Sequence, residues 1–150
     1  MHSFSMPVEV RWSDLDPNFH LRHSVYYDYG AYCRIAFMSA VGLTPEKLIQ
    51  SRVGPILFRE EAVFRREVNF GDTLVITASL LQARRDFSRY TIVHQLIKGA
   101  DTLAATVTIN GAWLNTQTRK LHIPDAALVA AFDNVPRSSN FTWEEIAAEL

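Results

Sequence analysis

Ten residues bring carboxylates and imidazoles of this chain together. Asp14, Asp16, Asn18, His20, Arg22 and His23 fall between positions 14 and 23, the one stretch of the sequence that sets two carboxylates beside two histidines. Carboxylates beside imidazoles can abstract a proton, attack a carbonyl carbon or bind a metal ion. Asp16 precedes Pro17, which disfavours a helix there, and the surrounding Ser13-Asp14-Leu15-Asp16-Pro17-Asn18 is rich in turn formers. The reactive residues therefore sit on a loop. A helix is predicted immediately after it, and the first N–H groups of a helix lack intrahelical partners and carry partial positive charge. If Asp16 projects beside that helix start, a carboxylate and an N–H donor for a developing oxyanion share one pocket, which is an acyl-transfer arrangement.

The elements needed to position the loop follow from periodicity. Val8, Val10 and Trp12 alternate with Glu9 and Arg11, predicting a first strand over residues 8 to 12. From Ser24, a candidate N-cap, to Val41, the residues Tyr26, Tyr29, Cys33, Phe37, Ala40 and Val41 recur at helical spacing and Gly42 follows. Gly30 inside this main helix implies a close neighbour. Thr44-Pro45-Glu46 starts a short second helix through Gln50, with Gly54-Pro55 expected to stop it.

From Ile56 to Ile123 alternation predicts strands through Ala62–Phe70, Leu74–Leu80, Tyr90–Leu96 and Leu103–Trp113, separated by turns at Gly71-Asp72, Ala83 to Ser88, Lys98 to Asp101 and Asn115 to Arg119. A long helix followed by a run of strands indicates an α+β fold with the helix on an antiparallel sheet. His94 lies on an apolar strand face and is expected to be a satisfied core histidine. Asp125 to Phe132 reads as helical, and so does Thr142 to Leu150, with a Thr142-x-x-Glu145 capping box.

Composition narrows the function. The 150 residues contain 15 basic and 16 acidic side chains, a formal charge of -1 with no net attraction for nucleic acid or an anionic membrane. The longest apolar run, Ala126 to Phe132, is seven residues, against roughly 20 for a bilayer span. Met1 to Pro7 lacks a charged n-region and an apolar h-region, so a cytoplasmic location is expected. The single cysteine, Cys33, excludes intrachain disulfides and cysteine-rich zinc sites and fits a reducing compartment. The Gly-x-Ser-x-Gly elbow, the Rossmann glycines and the P-loop are all missing. Asp14, Asp16, His20 and His23 make a chemically possible metal set, but their spacing matches no metal signature, and no metal is expected.

The run Arg11-Trp12-Ser13-Asp14-Leu15-Asp16, followed by His20 and Tyr26, resembles the opening of hotdog-fold acyl-CoA thioesterases of the 4-hydroxybenzoyl-CoA thioesterase type. Arg34, Gly71-Asp72-x-Leu-x-Ile and Pro124 extend the resemblance over roughly residues 8 to 125. It implies a hotdog fold, an antiparallel sheet wrapped around one long helix, here with a C-terminal helical extension. Residues 1–136 would form the hotdog domain and 137–150 its helical appendage. Asp16 takes the position of the catalytic carboxylate, nucleophile or general base. His23 contributes its backbone N–H to an oxyanion hole, His20 is the motif histidine, and Asp14 secures the turn.

Asn18, Arg22 and Tyr26 are expected to bind substrate, as are Arg84 and Arg85 beside a hairpin turn; Arg59, Arg65 and Arg66 form a second basic cluster. The resemblance further implies hydrolysis of an acyl-CoA or acyl-carrier-protein thioester without a cofactor, in a homodimer joined sheet edge to sheet edge that can assemble further to a homotetramer. Phe19 replaces a usual small residue and Arg22-His23 an Asn-Asn pair, changes that alter substrate choice or leave a non-catalytic thioester-binding module. A hydratase or dehydratase on the same fold is the third alternative, with His20 as half of its catalytic pair.

Overall fold

A computed structural model describes residues 3–145. A short strand β1 (Phe4–Val8) leads through a 3-10 turn (Trp12–Asp14) and the reactive loop into α1 (Val25–Ala40). After α2 (Pro45–Ser51) come β2 (Val53–Phe64), β3 (Leu74–Ala83), β4 (Arg89–Lys98) and β5 (Thr102–Asn115), then α3 (Ala126–Phe132) and β6 (Arg137–Trp143). The sheet order is β1-β3-β4-β5-β2, antiparallel throughout, with β6 added parallel to β3. This is the expected α+β hotdog arrangement. Tyr26, Tyr29, Cys33 and Phe37 form the buried stripe of α1, and Ile76, Leu80, Ile92, Leu96, Val107 and Ile109 bury the sheet's side of the core.

The first strand ends earlier than alternation predicts. Asp14 takes the Arg11 N–H at 3.0 Å and the Arg11 guanidinium at 2.9 and 3.1 Å, which bends residues 11 to 14 and leaves Trp12 81% exposed. The arginine fork holds the Asp14 carboxyl below its ordinary range. Ser24 takes the expected N-cap position of α1 but with helical backbone angles and no capping hydrogen bond, because its Oγ instead accepts from Arg22 Nε at 2.9 Å. Thr44 does cap α2, accepting from Lys47 N at 3.2 Å. That helix ends on Arg52 in the left-handed region, while Gly54 and Pro55 lie inside β2, where proline is tolerated because β2 is an edge strand. β2 stops at Phe64, so Val68 and Phe70 are not strand residues; Val68 is instead a fully buried anchor.

The predicted Thr142–Leu150 helix is corrected over its start. Thr142 and Trp143 pair with Gln82 and Ala83 in β6, and residues 146–150 lie outside the described residues. β1 reaches only Ala78 on that side of β3, so the next backbone groups need another partner. Residues 136–144 supply it: Leu80 N donates to Pro136 O and Glu144 N to Ala83 O, each at 2.8 Å. The predicted helix over Asp125–Phe132 is α3, capped by Asp125, whose Oδ1 accepts from Leu128 N at 2.9 Å.

Under α1, Gly30 leaves room for a buried polar pair. A Cβ there would lie 3.2 Å from Arg34 Nη1 and 3.4 Å from His94 Cδ2. His94 is wholly buried on β4; its Nδ1–H donates to Thr77 O at 3.0 Å and its Nε2 accepts from Arg34 Nη1 at 3.0 Å. Arg34 in turn lies 3.6 Å from Glu60 of β2. Both ring nitrogens are thus engaged with the imidazole neutral. Burial first, then the Arg34 charge, pushes His94 down to about 4 from an ordinary 6.5, against the Thr77 hydrogen bond.

The unfolded chain binds this proton more readily, so the contribution of His94 is complete above about pH 6.5 and is lost as pH falls towards about 4. The loss amounts to roughly 3 kcal/mol. Urea midpoints measured between pH 7 and 4 should fall accordingly, and His94→Gln should flatten that slope; an unchanged slope in the variant would assign the pH dependence to other groups. Asp14 acts at lower pH, because its folded value lies below 3.8.

Candidate active site

The reactive loop is held by its own backbone. Asp16 N donates to His20 O at 2.8 Å, Phe19 N to Asp16 O at 3.0 Å, and Arg22 N to Asp14 O at 2.7 Å. Leu21 N donates to Val68 O at 2.8 Å, and His20 bridges to Asn69, which ties the loop to the segment between β2 and β3. Phe19 has φ +63°, a left-handed conformation that costs a residue with a Cβ about 1–2 kcal/mol and that glycine adopts freely. Its ring is 76% exposed, so the loop holds this backbone strain without burying the side chain.

Asp16 Oδ1 accepts the Asn18 N–H at 2.9 Å and the His20 N–H at 3.1 Å. Its Oδ2 has no hydrogen-bond partner among the described residues, and that oxygen is free for chemistry. The N–H groups of His23 and Ser24, just before α1, also have no partner among the described residues. Asp16, His20, His23 and Tyr26 line one cavity of about 330 Å³. Tyr26 is packed edge-on against Phe64 at 4.9 Å, and its burial and the nearby Asp16 charge raise its phenol above the ordinary value, keeping it protonated.

Four of the expected site residues therefore converge, and four do not. Arg22 clamps the loop instead, donating to Ser13 O at 3.0 Å and to Ser24. Asn18 contributes its backbone N–H to Asp16 and does not line the cavity. Arg84 lies 3.5 Å from Glu144 and borders a separate cavity of about 190 Å³ with Arg89 and Phe58. Arg85 stacks on Trp143 at 4.9 Å. The C-terminal strand thus occupies both hairpin arginines.

The opposite wall comes from Phe64 at the end of β2 and the three residues after it, Arg65, Arg66 and Glu67. Glu67 Oε2 lies 3.6 Å from His20 Nε2. These residues carry no recognisable motif, and only the Leu21–Val68 and His20–Asn69 pairings bring them to the loop. The sole signal in the sequence is the adjacent Arg65-Arg66 pair. Among the described residues, no group of three or more His, Cys, Asp or Glu side chains could hold a metal ion. No helix there is long and apolar enough to cross a membrane.

A helix laid on an antiparallel sheet, with a carboxylate loop feeding its N-terminus, defines the hotdog thioesterase class. The family comparison agrees: residues 10–133 match the model of the thioesterase-like superfamily, and the chain belongs to that superfamily. Solved structures share the fold at low identity. A Staphylococcus aureus protein characterised in complex with CoA is 18% identical with a TM-score of 0.80, covering 99% of this chain and 92% of its own. A 1,4-dihydroxy-2-naphthoyl-CoA thioesterase from Synechocystis is 15% identical with a TM-score of 0.77, over 88% and 96%. A DHNA-CoA thioesterase from Staphylococcus aureus is 13% identical with a TM-score of 0.75, over 82% and 81%. No curated protein sequence matches the chain.

Proposed function

We propose that this protein hydrolyses the thioester of an acyl-CoA or acyl-carrier-protein substrate. The observation that carries the proposal is the meeting of Asp16, His20 and the His23 backbone at one cavity beside the start of α1, in a chain of the thioesterase-like superfamily. With the thioester carbonyl directed at the His23 N–H, charge developing on its oxygen meets an unpaired donor and the positive end of the helix. Acting as base, Asp16 takes a proton from water as the hydroxyl adds to the carbonyl carbon. The tetrahedral intermediate then breaks its C–S bond, and the thiolate leaves with the proton. As nucleophile, Asp16 would form the new C–O bond itself, expel the thiolate and leave a mixed anhydride for water to cleave. Rapid-quench trapping of a single turnover separates the two, because only the second route places the acyl group covalently on Asp16.

Thiol release from acyl-CoAs of varied chain length and aryl character tests the proposal. Turnover supports it, and tight binding without turnover would support the non-catalytic module. Chemistry of this kind fits the cytoplasm, where the free, buried Cys33 would stay reduced. We further propose a homodimer joined through β2. The outer edge of β2 pairs with no strand among the described residues, and Leu57, Phe58, Val63 and Phe64 on it are 42 to 57% exposed. An unpaired apolar edge of this length is a template for a second copy. Sedimentation should show a dimer or a tetramer built from it, and Phe58→Lys should shift the distribution towards monomer.

A further inference from the structure

The wall opposite Asp16 carries two arginines that the chemistry above does not use, next to Glu67, which faces His20. Just past β2, Arg65 N and Arg66 N both donate to Ala104 O, at 2.8 and 3.0 Å, which fixes their backbone against β5. Beyond them lies a second cavity of about 380 Å³ that reaches Thr102 and Leu103. Phe64, Arg65 and Arg66 line both cavities, so the two arginines border the Asp16 cavity and the space beyond it.

Their guanidinium groups are uncommitted in a chain that commits most others. Arg11 is forked to Asp14, Arg34 is paired with Glu60, Arg59 with Glu61, Arg84 with Glu144 and Arg137 with Asp133. Neither Arg65 nor Arg66 has a carboxylate within 4.0 Å among the described residues, and the one side-chain hydrogen bond of the pair runs from Arg66 Nη1 to Arg65 O at 3.0 Å. Two adjacent planar forks can each bind a carboxylate through parallel N–H donors.

We propose that Arg65 and Arg66 select thioesters whose acyl part carries a negatively charged group, a carboxylate at its far end. The inference rests on the thioester reading of the Asp16 cavity. An acyl chain with its carbonyl at Asp16 and the His23 N–H and its far end directed along the opposite wall would bring its terminal anion to the two guanidinium groups beside Phe64. The carrier's phosphates are a less apt partner, because the long pantetheine arm holds them far from the thioester while Arg65 and Arg66 share a cavity with Asp16. The hairpin arginines cannot serve instead without giving up Glu144 and Trp143.

The test compares adipyl-CoA with heptanoyl-CoA, a pair that differs chiefly in the terminal carboxylate, and repeats the comparison on N-acetylcysteamine thioesters, which have no phosphate. The quantity read is the ratio of kcat/KM for the carboxylated over the neutral acyl group. In Arg65→Gln/Arg66→Gln that ratio should fall by roughly 10- to 100-fold on both carriers, the range for hydrogen bonds to a charged group. Arg65→Lys/Arg66→Lys should restore part of it, since charge returns without the fork.

A ratio unchanged by the double variant overturns the inference. So does an equal loss for both acyl groups confined to the CoA thioesters, which would assign the pair to a carrier phosphate. Calorimetric titration with non-hydrolysable thioether analogues of the two acyl-CoAs decides the matter independently of turnover: wild type should bind the carboxylated analogue more tightly, and equal affinities would overturn the inference. Turnover of the neutral thioester without any carboxylate preference would defeat this inference alone. No turnover of either thioester would defeat the hydrolase reading.

Discussion

Replacing Asp16 by Asn is expected to lower kcat/KM for thioester cleavage by roughly 10²- to 10⁴-fold, the range for loss of a positioned general base, while leaving the fold intact. The separation is possible because Asp16 has two roles on two oxygens. Oδ1 accepts from the N–H groups of Asn18 and His20, at 2.9 and 3.1 Å, and an amide oxygen can accept the same two bonds. The free oxygen becomes an NH₂ group, which can neither attack carbon nor take a proton from water. Asp16→Ala removes the loop's acceptor as well and should lower both activity and thermal midpoint. Thiol release measured beside thermal unfolding for the two variants checks this. If Asp16→Asn kept wild-type turnover, the carboxylate would be a turn residue only, and the chemistry would have to come from elsewhere in the cavity.

The largest expected loss of stability is at Phe132. This residue of α3 is fully buried, with ring centroids 4.9 Å from Tyr90, 5.3 Å from Phe87 and 5.6 Å from Trp113. Phe87 also meets Trp143 of β6 at 5.8 Å, so one aromatic cluster joins α3 and β6 to β4 and β5. Phe132→Ala should cost about 3–5 kcal/mol, because Tyr90 and Trp113 are fixed on paired strands and cannot collapse into the gap. For a chain of this length that corresponds to a fall in Tm of roughly 6–20 °C. Ile49→Ala, on the exposed face of α2 where Ile49 is 76% exposed, should change stability by no more than about 0.5 kcal/mol. Equal shifts in the two variants would mean that α3 is not anchored by this cluster.

Some elements were legible in the sequence because their signals are local. α1 showed itself by the spacing of Tyr26, Tyr29, Cys33 and Phe37, and Gly42 after it has φ +91°, a conformation that favours glycine. β3, β4 and β5 followed from strict alternation against a buried face. The N-terminus of α3 followed from Asp125, and Gly30 marked a close approach that proved to be the Arg34–His94 pair.

The misplaced elements are those where a distant partner overrides local preference. Val8, Val10 and Trp12 alternate like a strand, but the Arg11–Asp14 fork turns the chain. Thr142-x-x-Glu145 resembles a helix start, but the bare edge of β3 beyond Ala78 draws those residues into β6. Pro55 looks like a stop signal, yet it lies in an edge strand, where its missing N–H leaves no inner partner unpaired.

At the candidate site the same division holds. The order of Asp14, Asp16 and His20 ahead of a helix whose first turn holds Tyr26 is a property of the sequence, because reactive residue types, turn formers and helical period are all written within one short stretch. So is membership of the thioesterase-like superfamily, which a match over residues 10–133 establishes. Only the tertiary structure decided which arginines face Asp16. Arg11 and Arg22 are nearest in sequence and are used up, the one on Asp14 and the other on Ser13 and Ser24, and Arg84 and Arg85 are held by Glu144 and Trp143 at the end of the C-terminal strand. Arg65 and Arg66, about fifty residues further along the chain, arrive beside Asp16 because Leu21 and His20 hydrogen-bond across to Val68 and Asn69. Side-chain period and turn chemistry act over a few residues, whereas strand pairing joins segments at any separation, and it was pairing that built the far wall of the cavity.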